Sequence, residues 1–216
     1  MNNSRSVSRP TIKRLPSYLY VIEAARNEGK QFISGTVIAE ELGLEPIQVR
    51  KDIASTGIIG KPRVGFNVDE LMDTICSFLR WNQENKAILL GVGHLGAALV
   101  GYQEFRRRGL TISAAFDTDL DKLNNSICDT PILPLEQMPA YVQKHTPDIA
   151  ILTVPSSVAQ ETADAVVAAG IQAVWNFTNV KLKLPPHILV QKEDLSSGYA
   201  MLSVKLGLQR TPTPQA

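Results

Sequence analysis

Residues 86–96 read Lys-Ala-Ile-Leu-Leu-Gly-Val-Gly-His-Leu-Gly, an apolar run that passes directly into a glycine-rich turn. A short continuous apolar run is typical of a strand that is buried on both faces of a parallel sheet. A Gly-x-Gly-x-x-Gly turn behind such a strand is the pattern that holds the pyrophosphate of a dinucleotide. The predicted cofactor-binding loop consists of Gly91, Val92, Gly93, His94, Leu95 and Gly96.

Each glycine of this loop has a predicted task. Gly91 permits the tight turn, Gly93 lets the backbone approach the pyrophosphate, and Gly96 allows the following helix to pack closely on the strand. That helix is predicted to run to Arg108 and to stop at Gly109. Its first turn offers N–H groups and a positive dipole to the phosphates.

A second strand is predicted over residues 111–116, and it ends at Asp117, 21 residues after Gly96. An acid at this distance from the loop can accept hydrogen bonds from the adenosine ribose. Because a carboxylate would repel a 2′-phosphate, we expect NAD(H) rather than NADP(H) as the cofactor. The alternative is a glycine-rich turn without a ligand, but the strand, loop, helix, second strand and acid together favour a nucleotide site.

Three further strands are predicted at residues 148–154, 171–177 and 187–191, and Ser156 or Ser157 can cap a helix between the first two. Strands that alternate with helices predict an α/β fold with a doubly wound parallel sheet, which is a Rossmann-like domain. Ligands of such sheets bind at the carboxyl ends of the strands. We therefore expect the nicotinamide half of the cofactor near Val154-Pro155 and Asn176-Phe177-Thr178.

The segment before this domain has the spacing of a helix-turn-helix. A first helix is predicted from Thr11, a short second helix follows the cap Ser34, and a third begins at Pro46. The apolar stripe of the first helix consists of Ile12, Leu15, Leu19 and Ile22. Residues 1–10 are expected to be frayed, with Pro10 as a stop. The alternative is a plain three-helix bundle without a role in DNA binding.

The third helix presents a polar face that suits DNA. Val49 and Ile53 fall on the stripe that is expected to face the core. The opposite stripe holds Gln48, Lys51 and Ser55, with Arg50 on its flank. Amide, hydroxyl and cationic groups of this kind match base edges and phosphates in a major groove.

Residues 57–66 add a predicted hairpin, or wing, with Lys61 and Arg63 at its tip. Two short β-prone apolar pieces flank this Lys-Pro-Arg tip. A basic wing can reach phosphates or the adjacent minor groove, so the segment favours a winged helix over a plain bundle. Asn67, with Glu70 three residues later, is the predicted cap of a helix that connects the two domains.

Composition supports the same division of the chain. Residues 1–66 hold ten Lys and Arg against six Asp and Glu, whereas the remaining residues hold twelve against fifteen. A basic first part on a mildly acidic body is typical of a phosphate-binding module. No apolar run approaches the roughly 20 residues that span a membrane, and no secretory signal is evident, so we expect a cytoplasmic protein. Cys76 and Cys128 lack the spacing of a disulfide framework or a zinc site.

Catalysis is not expected. A dehydrogenase needs a general acid or base beside the hydride-transfer site, but His94 lies in the phosphate loop, and His145 and His187 lie in connecting segments. The Rossmann-like unit also ends near residue 192, which leaves little chain for a substrate domain. Two alternatives stay open: a small NAD- or CoA-binding enzyme subunit with a protein-docking N-terminal domain, and a repressor that senses another adenine nucleotide.

Several short runs together point to a known family. They are Gln-Val-Arg-Lys-Asp-Ile at 48–53, Val-Gly-Phe at 64–66, the glycine loop at 91–96, Leu-Thr-Val-Pro at 152–155 and Asn-Phe at 176–177. With these runs the chain resembles, over residues 11–206, the redox-sensing transcriptional repressors called Rex. The resemblance implies a homodimer that binds a palindromic operator in double-stranded DNA. It also implies repression of fermentation and anaerobic respiration genes, with release from DNA when NADH rises relative to NAD⁺.

The resemblance further implies roles for single residues. Arg50 and Lys51 match the recognition-helix pair that meets DNA, and Asp117 matches the acid that binds the ribose. Tyr102 and Asp194 match positions that rearrange across the dimer with the bound nucleotide, so both belong to the expected cofactor site.

The end of the chain is expected to form a helix that swaps into the partner subunit. Leu195, Tyr199, Leu202 and Leu206 recur at helical spacing, and such a stripe needs a surface to cover. The alternative is a helix that docks on its own subunit. The predicted organisation is a winged-helix domain with its linker helix at 1–82, a Rossmann-like domain at 83–192, and the swapped helix and tail at 193–216.

Two positions depart from the usual pattern of the family. The wing tip reads Lys61-Pro62-Arg63 where many members have a basic residue followed by Gly. Thr178-Asn179 stands where Ala-Pro is more usual, close to the expected nicotinamide position.

Overall fold

A computed structural model describes residues 8–210, and the chain divides into two compact units between Gln83 and Glu84. Residues 1–7 of the predicted frayed start and residues 211–216 of the predicted tail lie outside the described part. Between residues 8 and 83 the elements are α1 (Arg9–Asn27), β1 (Phe32–Ile33), α2 (Gly35–Leu42), α3 (Pro46–Ser55), β2 (Phe66–Asn67) and α4 (Val68–Phe78).

The start of α1 differs from the prediction. The helix begins at Arg9 rather than Thr11, and the Ser8 hydroxyl caps it by accepting a hydrogen bond from the Thr11 N–H at 3.3 Å. Pro10 therefore lies in the first turn and is not a stop, since N–H groups there have no partner within the helix. Ile12 is also misassigned, because it is 44% exposed and not part of the buried stripe.

The caps of the next helices are as predicted. Ser34 accepts a hydrogen bond from the Val37 N–H at 3.2 Å, Pro46 occupies the first turn of α3, and Asn67 caps α4. The core of this unit includes fully buried apolar side chains from all four described helices: Leu15, Tyr18, Leu19, Ile22, Ile38, Ala39, Val49, Ile53, Leu71 and Ile75. The helix-turn-helix arrangement of α2 and α3 is thus held by α1 and α4.

The wing is a tight turn rather than a hairpin of two strands. The Lys61 and Gly65 backbones exchange hydrogen bonds of 2.7 and 3.0 Å, and Arg63 sits at the tip with a φ of 62°. The returning strand β2 does not pair with the strand-prone residues before the tip. It pairs in antiparallel fashion with β1, which anchors the wing beside α2.

The second unit is built around one sheet. Its described elements are β3 (Asn85–Leu90), α5 (His94–Val100), α6 (Gln103–Arg107), β4 (Leu110–Asp117), β5 (Ser126–Ile127), β6 (Thr130–Pro134), α7 (Met138–His145), β7 (Ile149–Leu152), α8 (Ala159–Ala168), β8 (Ala173–Asn176), β9 (Leu189–Lys192) and α9 (Ser196–Arg210). The strand order is β5-β6-β4-β3-β7-β8-β9, and only the β5–β6 pair among these strands is antiparallel. The chain moves outward from β3 on one side and then on the other, which confirms the doubly wound parallel sheet.

Two predicted helices have different limits. The single helix expected up to Arg108 is broken at Gly101 and Tyr102 into α5 and α6. Neither Ser156 nor Ser157 caps α8, because the Val158 N–H bonds to the Pro155 carbonyl in a preceding turn, and the helix begins only at Ala159.

The last helix is not covered within the chain. Its large apolar residues, and Leu195 directly before it, are between 41% and 74% exposed: Leu195, Tyr199, Met201, Leu202, Val204, Leu206 and Leu208. The described structure therefore disagrees with a helix docked on its own subunit. Among residues 8–210, no helix is both long enough and apolar enough to cross a membrane.

Candidate functional site

The glycine loop lies at the carboxyl end of β3, where it meets the end of β7. Gly91 has a φ of 95°, and a Cβ there would come within 2.9 Å of the Thr153 and Val154 backbone. The Thr153 hydroxyl donates a hydrogen bond of 2.7 Å to the Gly91 carbonyl. Gly91 is therefore required by the turn itself and by its close approach to the neighbouring strand.

Gly93 and Gly96 face different surroundings. A Cβ on Gly96 would collide with the Gly91 carbonyl oxygen and lie 2.9 Å from the Thr153 hydroxyl, so α5 packs directly on the loop. A Cβ on Gly93 would have no protein atom within 4 Å, and its φ of −81° is open to any residue. No contact among the described residues therefore requires a glycine at this position, and the open space beside Gly93 faces the cleft.

The cleft beside the loop has a volume of about 880 Å³. Of the predicted loop, Gly91 and Gly93 line it, whereas Val92 is buried and His94 is exposed. Its other walls come from the ends of β4 and β7, from the β6–α7 connection and from α8: Phe116, Asp117, Leu135, Met138, Val154, Pro155, Val158 and Thr162. A largely apolar cleft with a few polar groups is the usual form of a nucleotide site.

Asp117 occupies the predicted position at the end of β4. Its carboxylate accepts hydrogen bonds from the Val92 N–H at 2.6 Å and from the Asp119 N–H at 2.9 Å, and the Lys122 ammonium lies 3.4 Å away. Burial favours a higher pKa for Asp117, but the two N–H groups and Lys122 outweigh it, so the pKa is lowered. The acid is thus ionised near neutral pH and tied to the loop through Val92.

The Asn176–Thr178 segment forms a closed turn after β8. The buried Asn176 side chain accepts hydrogen bonds from the Thr178 N–H and hydroxyl at 2.9 and 2.8 Å, and its amide donates to the Val180 carbonyl at 2.9 Å. Thr178 is 5% exposed and is itself part of this hydrogen-bonded turn.

Tyr102 and Asp194 have separate partners in the single chain. Tyr102 is 49% exposed and packs edge-on against Phe105, with ring centroids 5.0 Å apart. Asp194 accepts hydrogen bonds from the Ser196 N–H and hydroxyl at the start of α9, which lower the pKa of this exposed carboxyl. Asp194 therefore forms a local turn directly before the terminal helix.

The predicted DNA-binding face is only partly as expected. Lys51 and Ser55 are exposed on α3. Arg50 packs its stem near Gly35 and donates from Nε to the Pro46 carbonyl at 3.1 Å. On the wing, the Lys61 ammonium lies 5.0 Å from the centre of the Phe32 ring. These contacts hold two cations near the first turn of α2 and the β1–β2 ribbon.

Gln48 does not belong to the exposed stripe. It is half-buried, and its amide donates a hydrogen bond of 3.0 Å to Asp52. Asp52 is 2% exposed and was missed by the sequence reasoning, although it directly precedes Ile53 and lies three residues after Val49 on the buried side of α3. An acid on the buried side of a helix needs several hydrogen-bond donors around it, and this requirement could have identified Asp52 from the sequence.

Asp52 is the centre of a polar cluster that joins α1 to α3. Its oxygens accept hydrogen bonds from the Thr11 hydroxyl, the Arg14 guanidinium, the Tyr18 hydroxyl and the Gln48 amide at 2.6 to 3.0 Å. Burial alone would raise the pKa of Asp52, but these donors lower it to about 2. Burial and the nearby Asp52 raise the pKa of Tyr18 to about 12.

Comparisons with known proteins match both units. Residues 82–180 match the family model described as "CoA binding domain", and residues 6–54 match the one described as "Putative DNA-binding protein N-terminus". The redox-sensing transcriptional repressor Rex of Treponema denticola is 51% identical over 210 residues, which cover 97% of this chain and 100% of the relative. The chain belongs to the Rex family of redox-sensing transcriptional repressors.

Solved Rex-family structures align along nearly the whole chain. RSP, a Rex-family repressor, in complex with β-NAD⁺ and operator DNA has a TM-score of 0.86 at 30% identity, with 94% of each chain covered. RSP in complex with β-NADH has a TM-score of 0.85 at 30% identity, with 95% of this chain and 97% of that chain covered. Rex relatives are repressors rather than enzymes, which confirms the expectation that this chain is not an enzyme.

Proposed function

We propose that this chain represses transcription from a palindromic operator as a cytoplasmic homodimer and leaves the DNA when NADH binds. The strongest support for the proposal is the open space beside Gly93. The missing side chain of Gly93 serves no neighbour in the described protein and leaves room for a pyrophosphate at the mouth of the cleft. NAD(H) is the cofactor bound by the similar repressor RSP, and the cleft geometry here is compatible with it.

Within the cleft, the residues have complementary tasks. Gly91, Gly93 and the N–H groups of the loop through Gly96 surround the pyrophosphate, with His94 and Leu95 in the first turn of α5. Asp117 accepts hydrogen bonds from the adenosine ribose through lone pairs that Val92 and Asp119 do not use. The lowered pKa of Asp117 keeps it anionic, and an anion here disfavours a 2′-phosphate.

The DNA-binding face combines α3 and the wing. Arg50, Lys51 and Ser55 meet base edges and phosphates from the major groove, while Lys61 and Arg63 reach the backbone or minor groove beside it. A homodimer presents two such faces, and successive major-groove turns on one side of DNA are about 34–36 Å apart. The operator is therefore a palindrome with half-sites at that separation.

The dimer and its switch involve the second unit. The uncovered α9 inserts into the partner subunit and so buries the apolar side chains that it exposes in the single chain. Both redox forms share the adenosine contacts, so the difference in affinity arises at the nicotinamide end, near Tyr102 and Asp194. A complete switch from 1:99 to 99:1 needs about 5.5 kcal/mol of such difference, and partial release needs less.

Direct binding measurements test this proposal. Calorimetric titration of the full-length protein with NADH, NAD⁺ and ATP, and selection of duplexes from a random DNA pool, give ligand and operator together. We expect NADH to bind and the selected duplexes to share a palindrome. Binding of ATP alone would favour a repressor that senses another adenine nucleotide, and failure to enrich any sequence would contradict operator binding.

A further inference from the structure

The first turn of α3 exposes a large apolar side chain beside its cations. Ile47, the second residue of α3, is 64% exposed, whereas Val49 and Ile53 on the same helix are fully buried. Such exposure to water is unfavourable, and Ile47 is not among the described side chains that pack in or against the core of this unit. The residue therefore has a surface available for a partner.

The position of Ile47 relates it to the DNA-binding side chains. It lies one helical turn before Lys51 and three residues before Arg50, so the three share a face of α3. Side chains on a helix lean toward its N-terminus, and recognition helices contact base edges with their N-terminal residues. Arg50 is folded back to the Pro46 carbonyl, directly beside Ile47, which keeps its charge at the same end.

We propose that Ile47 is a specificity-determining residue that packs against the C5 methyl group of an operator thymine. The inference rests on the proposed DNA binding by α3. The thymine methyl is the apolar group that base edges offer in the major groove, and Ile is the apolar group that this face offers in return. The flanking cations match a polyanion rather than an apolar protein surface.

The helix geometry sets the place of this thymine. Four residues of α-helix rise about 6 Å, which is close to two base-pair steps of about 3.4 Å. The thymine lies within about two base pairs of the Lys51 contact, and it occurs once in each half-site of the palindrome.

Base analogues test this contact without altering hydrogen bonding. In the selected operator, each thymine pair related by symmetry is replaced by uracil, which lacks only the C5 methyl. At one pair of positions we expect uracil to lower the affinity of the wild-type protein about fourfold per half-site. This is the loss in affinity expected when one buried methyl group is removed. Ile47→Ala binds the thymine operator more weakly and shows no further loss with uracil at those positions.

Ile12→Ala is the matched control, because Ile12 is a similarly exposed isoleucine on α1. It should keep the full uracil penalty. The inference is overturned if no uracil position weakens wild-type binding, or if Ile47→Ala keeps the penalty. Both of those results leave operator binding itself intact, whereas a wild-type protein that binds no operator overturns the proposed function together with this inference.

Discussion

Gly93 and Gly96 lie three residues apart in one loop and are glycines for different reasons. Gly96 is needed by the protein, because α5 packs directly on the loop carbonyl of Gly91. A Cβ on Gly93 would meet no atom of the described residues within 4 Å, so we propose that its small size serves the ligand. This difference at the residue scale separates folding from nucleotide binding.

Substitution by alanine should separate the two roles. Gly93→Ala should change the free energy of unfolding by less than about 1 kcal/mol but weaken NADH binding by roughly 5- to 150-fold, the effect of a clash of about 1–3 kcal/mol. Gly96→Ala should instead destabilise the fold by about 1–3 kcal/mol. Denaturant titration and NADH fluorescence measure both quantities. Equal NADH affinity of Gly93→Ala and wild type would refute the placement of the pyrophosphate.

Lys51 provides a residue-scale test of the DNA-binding face. Lys51→Ala should weaken operator binding by roughly 1–3 kcal/mol if Lys51 reads a base, and it should leave NADH affinity unchanged. Lys144→Ala, which removes the same charge from an exposed position of α7, is the control and should bind operator normally. Fluorescence anisotropy with labelled operator measures the loss. A simultaneous loss of NADH binding would indicate misfolding instead of a lost DNA contact.

At the scale of elements, Asp52 joins α1 to the recognition helix α3. Five hydrogen bonds converge on its carboxylate, and removal of one partner from such a buried ionic cluster is typically costly. This cluster adds polar contacts to the apolar packing between α1 and α3, the helix that carries Lys51. Gln48 is part of the support and not of the exposed stripe.

The cluster makes the stability of the N-terminal unit dependent on pH. The folded-state pKa of Asp52, about 2, lies below its ordinary value of 3.8. Ionised Asp52 therefore stabilises the folded unit fully above its ordinary pKa, and this stabilisation is lost as the pH falls from about 5 toward 2. The expected loss is about 2 kcal/mol. Unfolding followed by Trp81 fluorescence in a Trp175→Phe background measures it.

Two variants check the assignment of this pH dependence. Asp52→Asn should be less stable at neutral pH and should lose most of the dependence, whereas Asp69→Asn, at an exposed acid paired with Arg26, should keep it. An unchanged pH profile in Asp52→Asn would show that another group is responsible.

Elements with a strong local pattern could be predicted from sequence, and those set by tertiary pairing could not. The apolar run before Gly91 specified β3, and Ser34 and Pro46 marked helix starts correctly. β6 was missed because Pro131 and Pro134 argue against a strand, yet it pairs with β4. The break at Gly101 and Tyr102 was also missed, although Gly101 is a residue that often ends a helix. Neither β5 nor α7 was expected.

Local sequence spacing also decides which parts of the site could be predicted. The loop glycines and Asp117 follow from spacing, because a strand, a turn and a helix in sequence bring them to one edge of the sheet. The Gln48 side chain is directed toward Asp52, which is itself bound by α1 residues that lie 34 and 41 positions before Asp52 in the chain. Helical periodicity alone therefore placed Gln48 on the wrong side.

For the whole molecule, the exposed apolar side chains of α9 predict that the protein is a dimer in which a second subunit covers this helix. Removal of residues 193–216 should yield a monomer and weaken operator binding strongly, because one half-site alone loses the benefit of two linked contacts. Removal of residues 211–216 alone is the control and should leave the dimer. Sedimentation measures the oligomeric state, and a truncated chain that remains dimeric would contradict the role of α9.

In the proposed function, NADH in the cleft controls operator binding. The direct measurement is titration of the preformed operator complex with NADH, NAD⁺ and ATP, in the wild type and in Asp117→Ala with Asp121→Ala as control. We expect NADH to release wild-type and Asp121→Ala protein at concentrations at which NAD⁺ and ATP do not, and Asp117→Ala to stay bound. Equal release of the protein from DNA by NADH and NAD⁺, or normal release of Asp117→Ala by NADH, would contradict control of operator binding by NADH in the cleft.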